Sequence, residues 1–588
     1  MKKMKNAVLP FALTAMALAL TACKGDDGSN GINGSDGAQG PAGVQGPAGT
    51  QGPAGAAGAD GADATVAPRL TRLLTTPKGA EVTGLYKTDN GEVFVNVQHP
   101  SSSLPGDEAK AAVGVIEGID FDNLDPRLAE LPVPAADSAE QLSVQVAAPG
   151  SYKVLGRAGD TFAGGLPFGL GAISNGAQDT LLKQSENPDF NAFVATNTDG
   201  SEGYLFTAWE DRPGSMSRLK VLRDGSGAWS VDSSDVLDVD FSNVQGTMIN
   251  CFGTLSPWGT PLTSEENYEA ENAENWNNSN YLSGYPNYTD VQLIQQYLGG
   301  SFPNPYRYGY IVEITDPTAA APVPVKHFTL GRMAHENAVV MPDKKTVYLT
   351  DDGGNKGFYK FVADTAGDLS AGTLYAAKVK QDATTDPARA GFDISWIELA
   401  HGNNAAIEAF VAGYDGIDET GYVDGSTSYI SQQEIDDWAA GLGGNDAIAF
   451  VESKRAAEAR GATMEFNKME GIDINFDGAA SGAIPFMYVA MSDISGGMAD
   501  SSGDIQVERH RCGAVYRLGL TPDFDVIRMD PVVVGGQYDG SLAQNRCPVD
   551  AVSNPDNLIV LDDGRVLIGE DSGNHVNNML WVYNPKGE

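Results

Sequence analysis

A single cysteine close to two adjacent glutamates is the first place in this chain where chemistry is expected. The segment "NCFGTLSPWGTPLTSEE" runs from Asn250 to Glu266 and contains Cys251, Glu265 and Glu266. A thiolate is a soft metal ligand and a carboxylate is a hard oxygen ligand, so the segment offers both kinds of donor. On the sequence alone, a buried apolar thiol that only packs in the core explains Cys251 equally well.

Acidic residues recur where short apolar strands are expected to begin and end. Four segments share one order: a carboxylate, an apolar strand, a polar turn, and a second strand that ends in an acid or a histidine. These segments are Glu81–His99, Glu336–Asp352, Glu470–Asp493 and Asp556–Gly573. Two-strand units repeated around an axis build a β-propeller, in which the strands converge on a central channel.

Carboxylates that meet at one level of a channel repel each other unless they are protonated or bridged by cations. The acids at the strand ends therefore predict a metal site. The alternative is that each acid is an ordinary turn residue at the end of a strand. The set consists of Glu265, Glu266, Asp351, Asp352, Asp493, Glu570 and Asp571.

The elements that would position these acids are mostly β-strands. From about residue 67 to 588, β-branched runs alternate with Asp-Gly, Asn-Gly and Pro-Asp turns, which predicts an all-β domain. The best candidates for short helices are Asp290–Gly300 and Ser431–Leu442. The formal net charge is −40 and the pI is about 4.3, which argues against nucleic acid or anionic lipid as a partner.

The N-terminal residues predict export. Three lysines lie within Met1–Lys5, an apolar run follows, and "LTAC" ends at Cys23. Residues 1–22 are predicted to be a lipoprotein signal peptide, with Cys23 lipidated as the new N-terminus. The alternative is an ordinary secretory signal in which Cys23 is incidental. We expect an exported protein that is held at the outer membrane or cell surface by its N-terminal lipid only.

Residues 23–66 are expected to form a stalk that starts at the lipidated cysteine. Glycine occupies every third position from Gly25 to Asp63. A strict Gly-X-Y repeat is typical of the collagen triple helix, in which only glycine fits at the axis. A collagen-like segment would allow three chains to associate as a trimer. The alternative is a disordered spacer that drifted into a triplet repeat.

The globular part resembles the PhoX-type bacterial alkaline phosphatases. The similarity runs from Arg69 to the end and is carried by the cysteine segment and by "GRMAHENAVVMPDKKTVYLTDDGGNKGFYKF". The segments "TGLYKTDNGEVFVNVQHP", "LSAGTLYAAKV" and "NPDNLIVLDDGRVLIGEDS" match further family segments. The resemblance implies a six-bladed β-propeller with short helical insertions. It also implies iron (Fe³⁺) and Ca²⁺ in the channel, with the Cys251 thiolate bridging the irons, and phosphate esters as substrates.

The resemblance assigns roles to individual residues. Lys468 and Glu470 take the places of the family's phosphate-holding arginine and the glutamate that follows it. A lysine lacks the bidentate fork of an arginine, so the phosphate is expected to be held less firmly. The expected metal ligands are Cys251, Glu265, Glu266, Glu336, Asp352, Glu470, Asp556 and Glu570.

Five further residues carry smaller expectations. The family's second cysteine is Ser264 here. His335 is expected either to orient a neighbouring carboxylate or to pack, and Trp258 to pack beneath the cysteine segment. Cys512 and Cys547 are expected to pair in a disulfide, as exported proteins favour, the alternative being two free thiols.

The leading hypothesis is metal-dependent hydrolysis of phosphate monoesters for phosphate acquisition. The first alternative is a non-catalytic, calcium-binding propeller that serves as a surface lipoprotein for a ligand or partner. The second is hydrolysis of phosphodiesters.

Overall fold

The computed structural model describes residues 68–267, 273–279, 288–418 and 429–587. These residues belong to one compact unit that spans residues 65–588. The predicted signal peptide, the lipidation site Cys23 and the collagen-like segment lie outside the described residues. Among the described helices, none is both long and apolar enough to cross a membrane.

The described chain forms six antiparallel blades with a core of four strands each, which we number 1 to 6; blades 4 and 5 are joined into one nine-stranded sheet by pairing between Phe392–Asp393 and Arg528–Met529. The first strand, β1 (Arg69–Thr75), pairs with the last strand and belongs to blade 6. This pairing joins the two ends of the domain by backbone hydrogen bonds. Together the blades form a β-propeller.

The first three blades follow in chain order. Blade 1 contains β2 (Glu81–Lys87), β3 (Val93–Gln98), β4 (Ala112–Glu117) and β6 (Ser151–Arg157), with β5 (Gln145–Val146) pairing with β1. A hairpin of β7 (Ala172–Ser174) and β8 (Leu181–Gln184) follows. Blade 2 contains β9 (Pro188–Ala195), β10 (Glu202–Trp209), β11 (Ser215–Arg223) and β12 (Trp229–Asp238). Blade 3 contains β13 (Asn250–Leu255), β14 (Pro261–Glu265), β15 (Ile311–Thr315) and β16 (Val323–His327).

The last three blades complete the ring. Blade 4 contains β17 (His335–Val340), β18 (Thr346–Asp351), β20 (Phe358–Thr365), β21 (Asp368–Gln381) and β22 (Phe392–Asn403). The short strands β19 (Gly354–Lys356) and β23 (Phe466–Asn467) pair with each other. Blade 5 contains β24 (Met469–Ile474), β25 (Phe486–Met491), β26 (Ala514–Leu520) and β27 (Val526–Val534). Blade 6 contains β28 (Pro555–Val560), β29 (Val566–Glu570) and β30 (Met579–Asn584).

Short helices lie in the connections between strands, as the sequence predicts. The candidate at 290–300 is α1 (Tyr288–Tyr297). The candidate at 431–442 is α3 (Gln432–Ala439), which Ser431 caps through a reciprocal capping box with Glu434. The other described α-helices are α2 (Asn404–Val411), α4 (Ala447–Val451), α5 (Ser453–Ala459) and α6 (Phe476–Ser481). The 3₁₀ turns span Gly106–Ala109, Glu140–Leu142, Ser242–Val244, Ala273–Asn277, Pro305–Arg307, Phe328–Leu330, Ala412–Tyr414 and Gly496–Ala499.

The first strand of each blade lines the central channel. The strands β2, β9, β13, β17, β24 and β28 each contact the equivalent strand of both neighbouring blades, so they form a closed ring. The blades are held face to face by apolar packing between their sheets, as where Phe94 of blade 1 lies against Phe193 and Trp229 of blade 2. The strands of the ring are buried over most of their length.

Every strand of the inner ring contains a β-bulge near its start. In β17, His335 pairs with Asp351 but Ala338 pairs with Leu349, so one extra residue lies on the inner strand. The same shift follows Thr83, Pro188, Cys251, Met469 and Pro555 in the other five strands. A bulge bends its strand and changes the direction of the side chains beside it. The inner ring therefore turns a residue of each blade out of the regular alternation at the same end of the channel.

Candidate metal centre

At this end of the channel, the bulges bring together one side chain from each of five successive blades, and each of these side chains can bind a metal ion. These side chains lie at or directly beside the bulges, and all of them are buried. They are Asp189, Cys251, Glu336, Glu470 and Asp556. The equivalent position in blade 1 is Gly84, which offers no ligand.

The five side chains lie close enough to share cations. The Cys251 thiol donates to Asp189 Oδ2 at 2.8 Å and lies 3.2 Å from Glu336 Oε2. Ligand atoms of Asp189, Cys251 and Glu336 lie within 4.8 Å of one another, and so do those of Glu336, Glu470 and Asp556. The thiol therefore lies in the middle of the acidic ring and belongs to the same cluster.

A second row of acids comes from the residue that follows the second strand of a blade. Glu210 and Glu266 form a third group with Cys251, again within 4.8 Å. Asp352, from blade 4, hydrogen-bonds with Glu266. Asp571, from blade 6, hydrogen-bonds with Glu81. This row follows strands β10, β14, β18 and β29.

One cation of the protein lies within the cluster. Lys468 Nζ lies 2.5 Å from Asp352 Oδ2 and 3.3 Å from Glu470 Oε1. The side chain keeps 34% of its surface exposed, so Lys468 lies at the solvent-accessible edge of the cluster. Its backbone φ is 53°, in the left-handed region that a residue with a Cβ rarely adopts. Strained backbone of this kind is common at functional sites.

Burial and mutual repulsion make this cluster unfavourable as a set of free anions. Burial first, and then the charges of neighbouring acids, raise the pKa of Glu266, Glu336 and Asp556 well above its usual range. The same causes raise the pKa of Glu470 to about 8. They also raise the pKa of the Cys251 thiol well above its ordinary value. Only a positive charge placed among these groups allows them all to be ionised near neutral pH.

Lys468 supplies that charge on one side of the cluster only. Although burial opposes it, the Lys468 ammonium lowers the pKa of Asp352 below its ordinary value. In return, the charges of Asp352 and Glu470 outweigh burial and raise the pKa of Lys468. Lys468 also acts on Glu266 and Asp556, but burial and the neighbouring acids outweigh it there, and the pKa of both carboxyls stays raised.

The donor set fits metal ions. Five carboxylates each have one buried oxygen that accepts no hydrogen bond from the described residues, and such atoms cost free energy unless an ion or water satisfies them. The set combines several carboxylates, which suit Ca²⁺ and ferric iron, with one thiol, which suits iron. The five oxygens are Asp189 Oδ1, Glu266 Oε1, Glu336 Oε1, Asp352 Oδ1 and Asp556 Oδ1.

Comparison with known proteins agrees with this architecture. The family model described as alkaline phosphatase PhoX matches residues 224–588, which is more than half of the chain. The chain belongs to the PhoX family. It is therefore a phosphatase of the alkaline phosphatase type. A search of curated proteins found no match.

Solved structures support the fold of this PhoX-family phosphatase. Pseudomonas fluorescens PhoX in complex with vanadate, a transition-state analogue, is 20% identical, with 74% of this chain and 83% of that chain covered and a TM-score of 0.51. A Trichoderma reesei enzyme of carbohydrate-active family AA12 is 10% identical, with 90% of this chain and 100% of that chain covered and a TM-score of 0.35.

Most of the residues predicted from the sequence come together in this PhoX-type site. Cys251, Glu266, Glu336, Asp352, Glu470 and Asp556 all lie in the cluster, and Lys468 lies at its edge. Cys512 and Cys547 form a disulfide. His335 is buried and hydrogen-bonds through Nε2 to the carbonyl of Gly331, so it packs and orients no carboxylate. Trp258 packs against the core of blades 3 and 4 and donates to Glu313 at 2.7 Å.

Glu265 and Glu570 are corrections, because the structure does not bring either carboxylate into the cluster. Glu265 is tied to the buried ammonium of Lys326 at 3.1 Å and accepts three backbone N–H groups. Glu570 accepts four hydrogen bonds, from Ser553 N, His575 Nδ1, Met579 N and Trp581 Nε1. All four carboxylate oxygens of these two residues already accept hydrogen bonds. Each residue is the last of its strand, and its side chain points into its own blade. Only the following residue, Glu266 or Asp571, turns towards the channel.

Asp189 and Glu210 belong to the cluster, but the sequence analysis did not find them. A signal for Asp189 was present: "NPD" at residues 187–189 repeats "NPD" at residues 554–556, which leads into Asp556. Glu210 follows β10 as Glu266 follows β14. However, β10 ends in Trp209, whereas β14 ends in the acid Glu265, so Glu210 does not fit the pattern of an acid at the strand end followed by a second acid. Both belong to blade 2, which lies mostly outside the range of the family match.

The adjacent acids Glu265 and Glu266 should respond in opposite ways to loss of their charge. We expect Glu265→Gln to lower the free energy of unfolding by about 3 kcal/mol, because it leaves the Lys326 ammonium buried without its counter-ion. Glu266→Gln should leave the metal-free protein as stable as before, or more stable, but weaken metal binding. Denaturant unfolding and metal titration of both variants measure these effects. The division of roles is wrong if Glu265→Gln loses metal affinity while keeping full stability.

Metal ions should stabilise the protein more as the pH rises. The folded-state pKa of Glu470 is raised from 4.5 to about 8, so the metal-free fold binds protons more tightly than the unfolded chain does. Its stability should therefore fall from pH 5 to pH 8, whereas bound cations replace those protons. We expect the Tm difference between metal-loaded and chelator-treated protein to grow by about 5 °C over this range. Titration of the surface carboxylates affects both samples equally and cancels in the Tm difference. A Tm difference that stays constant or shrinks between pH 5 and pH 8 would contradict this account.

Proposed function

We propose that this phosphatase hydrolyses phosphate monoesters at a centre of iron and calcium ions held by the channel cluster. The observation that carries the proposal is the position of Cys251 between Asp189 and Glu336, at 2.8 and 3.2 Å. A thiol among carboxylates is an unusual donor set, and it favours iron beside the calcium that carboxylates alone would select. Family membership supplies the reaction class.

The ions would supply Lewis acidity, a nucleophile near neutral pH and alignment of the reacting oxygens. The chain's own residues do the rest. Cys251, Glu336 and Glu470, whose backbones are fixed by the inner strands, hold the donor atoms at the base of the channel. Lys468 lies between this base and solvent, so its ammonium is placed to bind a phosphate oxygen. Ser492 Oγ donates to Glu470 Oε1 at 2.6 Å and fixes the orientation of that carboxylate.

Two observations bear on the alternatives. The ammonium of Lys468 already bridges Asp352 and Glu470, so the site is partly neutralised without a full set of metal ions. If the purified protein holds no iron, this partial neutralisation favours the non-catalytic, calcium-binding propeller over the phosphatase. Access to the channel decides between monoesters and diesters, because a diester must pass with a substituent on both sides of its phosphorus.

Replacement of Cys251 tests the proposal. We expect Cys251→Ser to lower hydrolysis of para-nitrophenyl phosphate by at least about 100-fold and to remove bound iron, since a thiolate ligand is lost. Activity should also be lost with chelator and be higher on the monoester than on bis-para-nitrophenyl phosphate. Elemental analysis of protein purified without added metals accompanies the assay.

Trp258→Phe is the matched control, because it changes the same segment but removes only a hydrogen bond to Glu313, outside the cluster. It should keep most of the wild-type activity. Wild-type protein that carries calcium without iron and releases no phosphate would refute the enzyme and favour the binding module. Higher activity on the diester would favour the phosphodiesterase.

We infer from the N-terminal sequence that the enzyme acts outside the cytoplasm, as a lipoprotein that scavenges phosphate at the outer membrane or cell surface. Its support is the signal-like segment that ends at Cys23 and the Gly-X-Y repeat that follows it. The repeat would hold the catalytic domain away from the membrane and would join chains as trimers.

Replacement of Cys23 tests the anchoring. Cys23→Ala should move the protein from the membrane fraction to the soluble fraction, because the variant cannot carry the proposed lipid anchor. Deletion of residues 25–63 is the control and should leave the protein in the membrane fraction. Membrane attachment of Cys23→Ala protein that has lost its signal peptide would contradict the lipid anchor.

A further inference from the structure

Two arginines with open guanidinium groups lie beside the cluster, at the same end of the channel. Both Arg509 and Arg511 are exposed, and neither side chain forms a hydrogen bond or salt bridge within the described part of the chain. This is unusual in a protein with a net charge of −40. Other arginines, such as Arg307 and Arg528, are tied to carboxylates.

The strand register places Arg511 at the end of blade 5 that carries the cluster. Met469 of the inner strand β24 pairs with Met491, which pairs in turn with Ala514. Lys468, Asp493 and Arg511 are therefore all at the end of blade 5 that carries the cluster. In addition, the backbone of Ser492 donates to the carbonyl of Lys468 at 3.0 Å.

A single antiparallel bridge joins the two segments that follow β25 and precede β26. Ile494 and His510 form this bridge, Arg509 precedes it, and Arg511 lies in the turn that follows it. His510 Nε2 hydrogen-bonds to the carbonyl of Gly535 at 2.8 Å, which holds the segment between the two arginines in place. The bridge therefore brings both arginines to the segment that carries Asp493, and the positive charges of Arg511, Arg509 and Lys468 all act on the Asp493 carboxylate, whose pKa is nevertheless raised by burial.

The segment that carries Arg511 is firmly held. Asn554 Nδ2 donates to the carbonyl of Arg511 at 3.2 Å and to that of Ser492 at 2.7 Å. The next residue, Cys512, is anchored to Cys547 by the disulfide. The guanidinium lies 4.8 Å from the centre of the Tyr538 ring, which restricts its position. The backbone of Arg511 is therefore held by hydrogen bonds and by the neighbouring disulfide, and its guanidinium is held against the Tyr538 ring. Arg511 is a preorganised cation.

We propose that Arg509 and Arg511 bind a second anionic group of the substrate, a phosphate or a carboxylate, and so select phosphate esters that carry two anionic groups. This inference rests on the proposed function, because Lys468 and the metal ions hold the phosphate that is cleaved. The charge of Lys468 is already matched by Asp352 and Glu470, so it leaves no excess for a second anion. An arginine offers the planar, bidentate donor that suits phosphate and carboxylate.

The test compares fructose 6-phosphate with fructose 1,6-bisphosphate, which differ only in the second phosphate. We expect the double variant Arg509→Ala, Arg511→Ala to raise the KM for the bisphosphate about tenfold and that for the monophosphate less than about twofold. Arg511→Lys should recover only part of the loss, because lysine binds as a point charge. Arg127→Ala is the matched control: Arg127 is exposed and lies near Leu124, whose carbonyl binds Arg565 at the opposite end of the channel.

Binding of both sugars is measured by calorimetry in parallel, because it does not require turnover. Loss of affinity confined to the bisphosphate supports the inference. Equal losses for the two sugars, or no loss for either, overturn it. If the wild-type protein binds the bisphosphate more tightly but cleaves neither sugar, the proposed function fails while this inference stands.

Discussion

Repulsion among buried negative groups is the constraint on which the rest of this structure depends. The inner ring brings carboxylates and a thiol from five blades to one end of the channel, where water is largely excluded and charges interact strongly. Such an arrangement is stable only if protons or cations neutralise it. Lys468 neutralises one side, and the unsatisfied oxygens elsewhere in the ring indicate where further positive charge belongs. Phosphate chemistry follows naturally, because bound cations also attract and polarise a phosphate ester.

The scaffold solves two problems with adjacent residues. A propeller blade needs polar groups at its strand ends to satisfy backbone N–H donors, and the channel needs acids to hold cations. Glu265 and Glu570 serve the blade, whereas Glu266 and Asp571, one position later, face the channel. The β-bulges make a similar change on the inner strands, because they turn residues such as Glu336 and Glu470 out of the regular alternation. The recurring acidic pairs thus reflect two distinct roles.

The propeller fold and most residues of the cluster could be predicted from the sequence, and the wrong or missing assignments have physical causes. The two-strand repeat and the family resemblance predicted the propeller, and the cysteine segment led to Cys251 and Glu266. Glu265 and Glu570 were assigned to the metal because a sequence shows that two acids are adjacent but not which way each points; a change of one residue along a strand reverses the face. Asp189 was missed because the strand that pairs with its own ends in Trp209, whereas β14, β18 and β29 each end in an acid. The register of a bulge, which decides between these cases, depends on pairing across the sheet.

The most direct measurement of the central claim is a crystal structure of the protein, purified without added metals, with anomalous diffraction collected at the iron edge and at a longer wavelength for calcium. The account predicts anomalous peaks inside the ring, with an iron bonded to Cys251 Sγ and cations bonded to carboxylate oxygens of Glu336 and Glu470. A ring that holds only water, with the Cys251 thiol still hydrogen-bonded to Asp189, would contradict it.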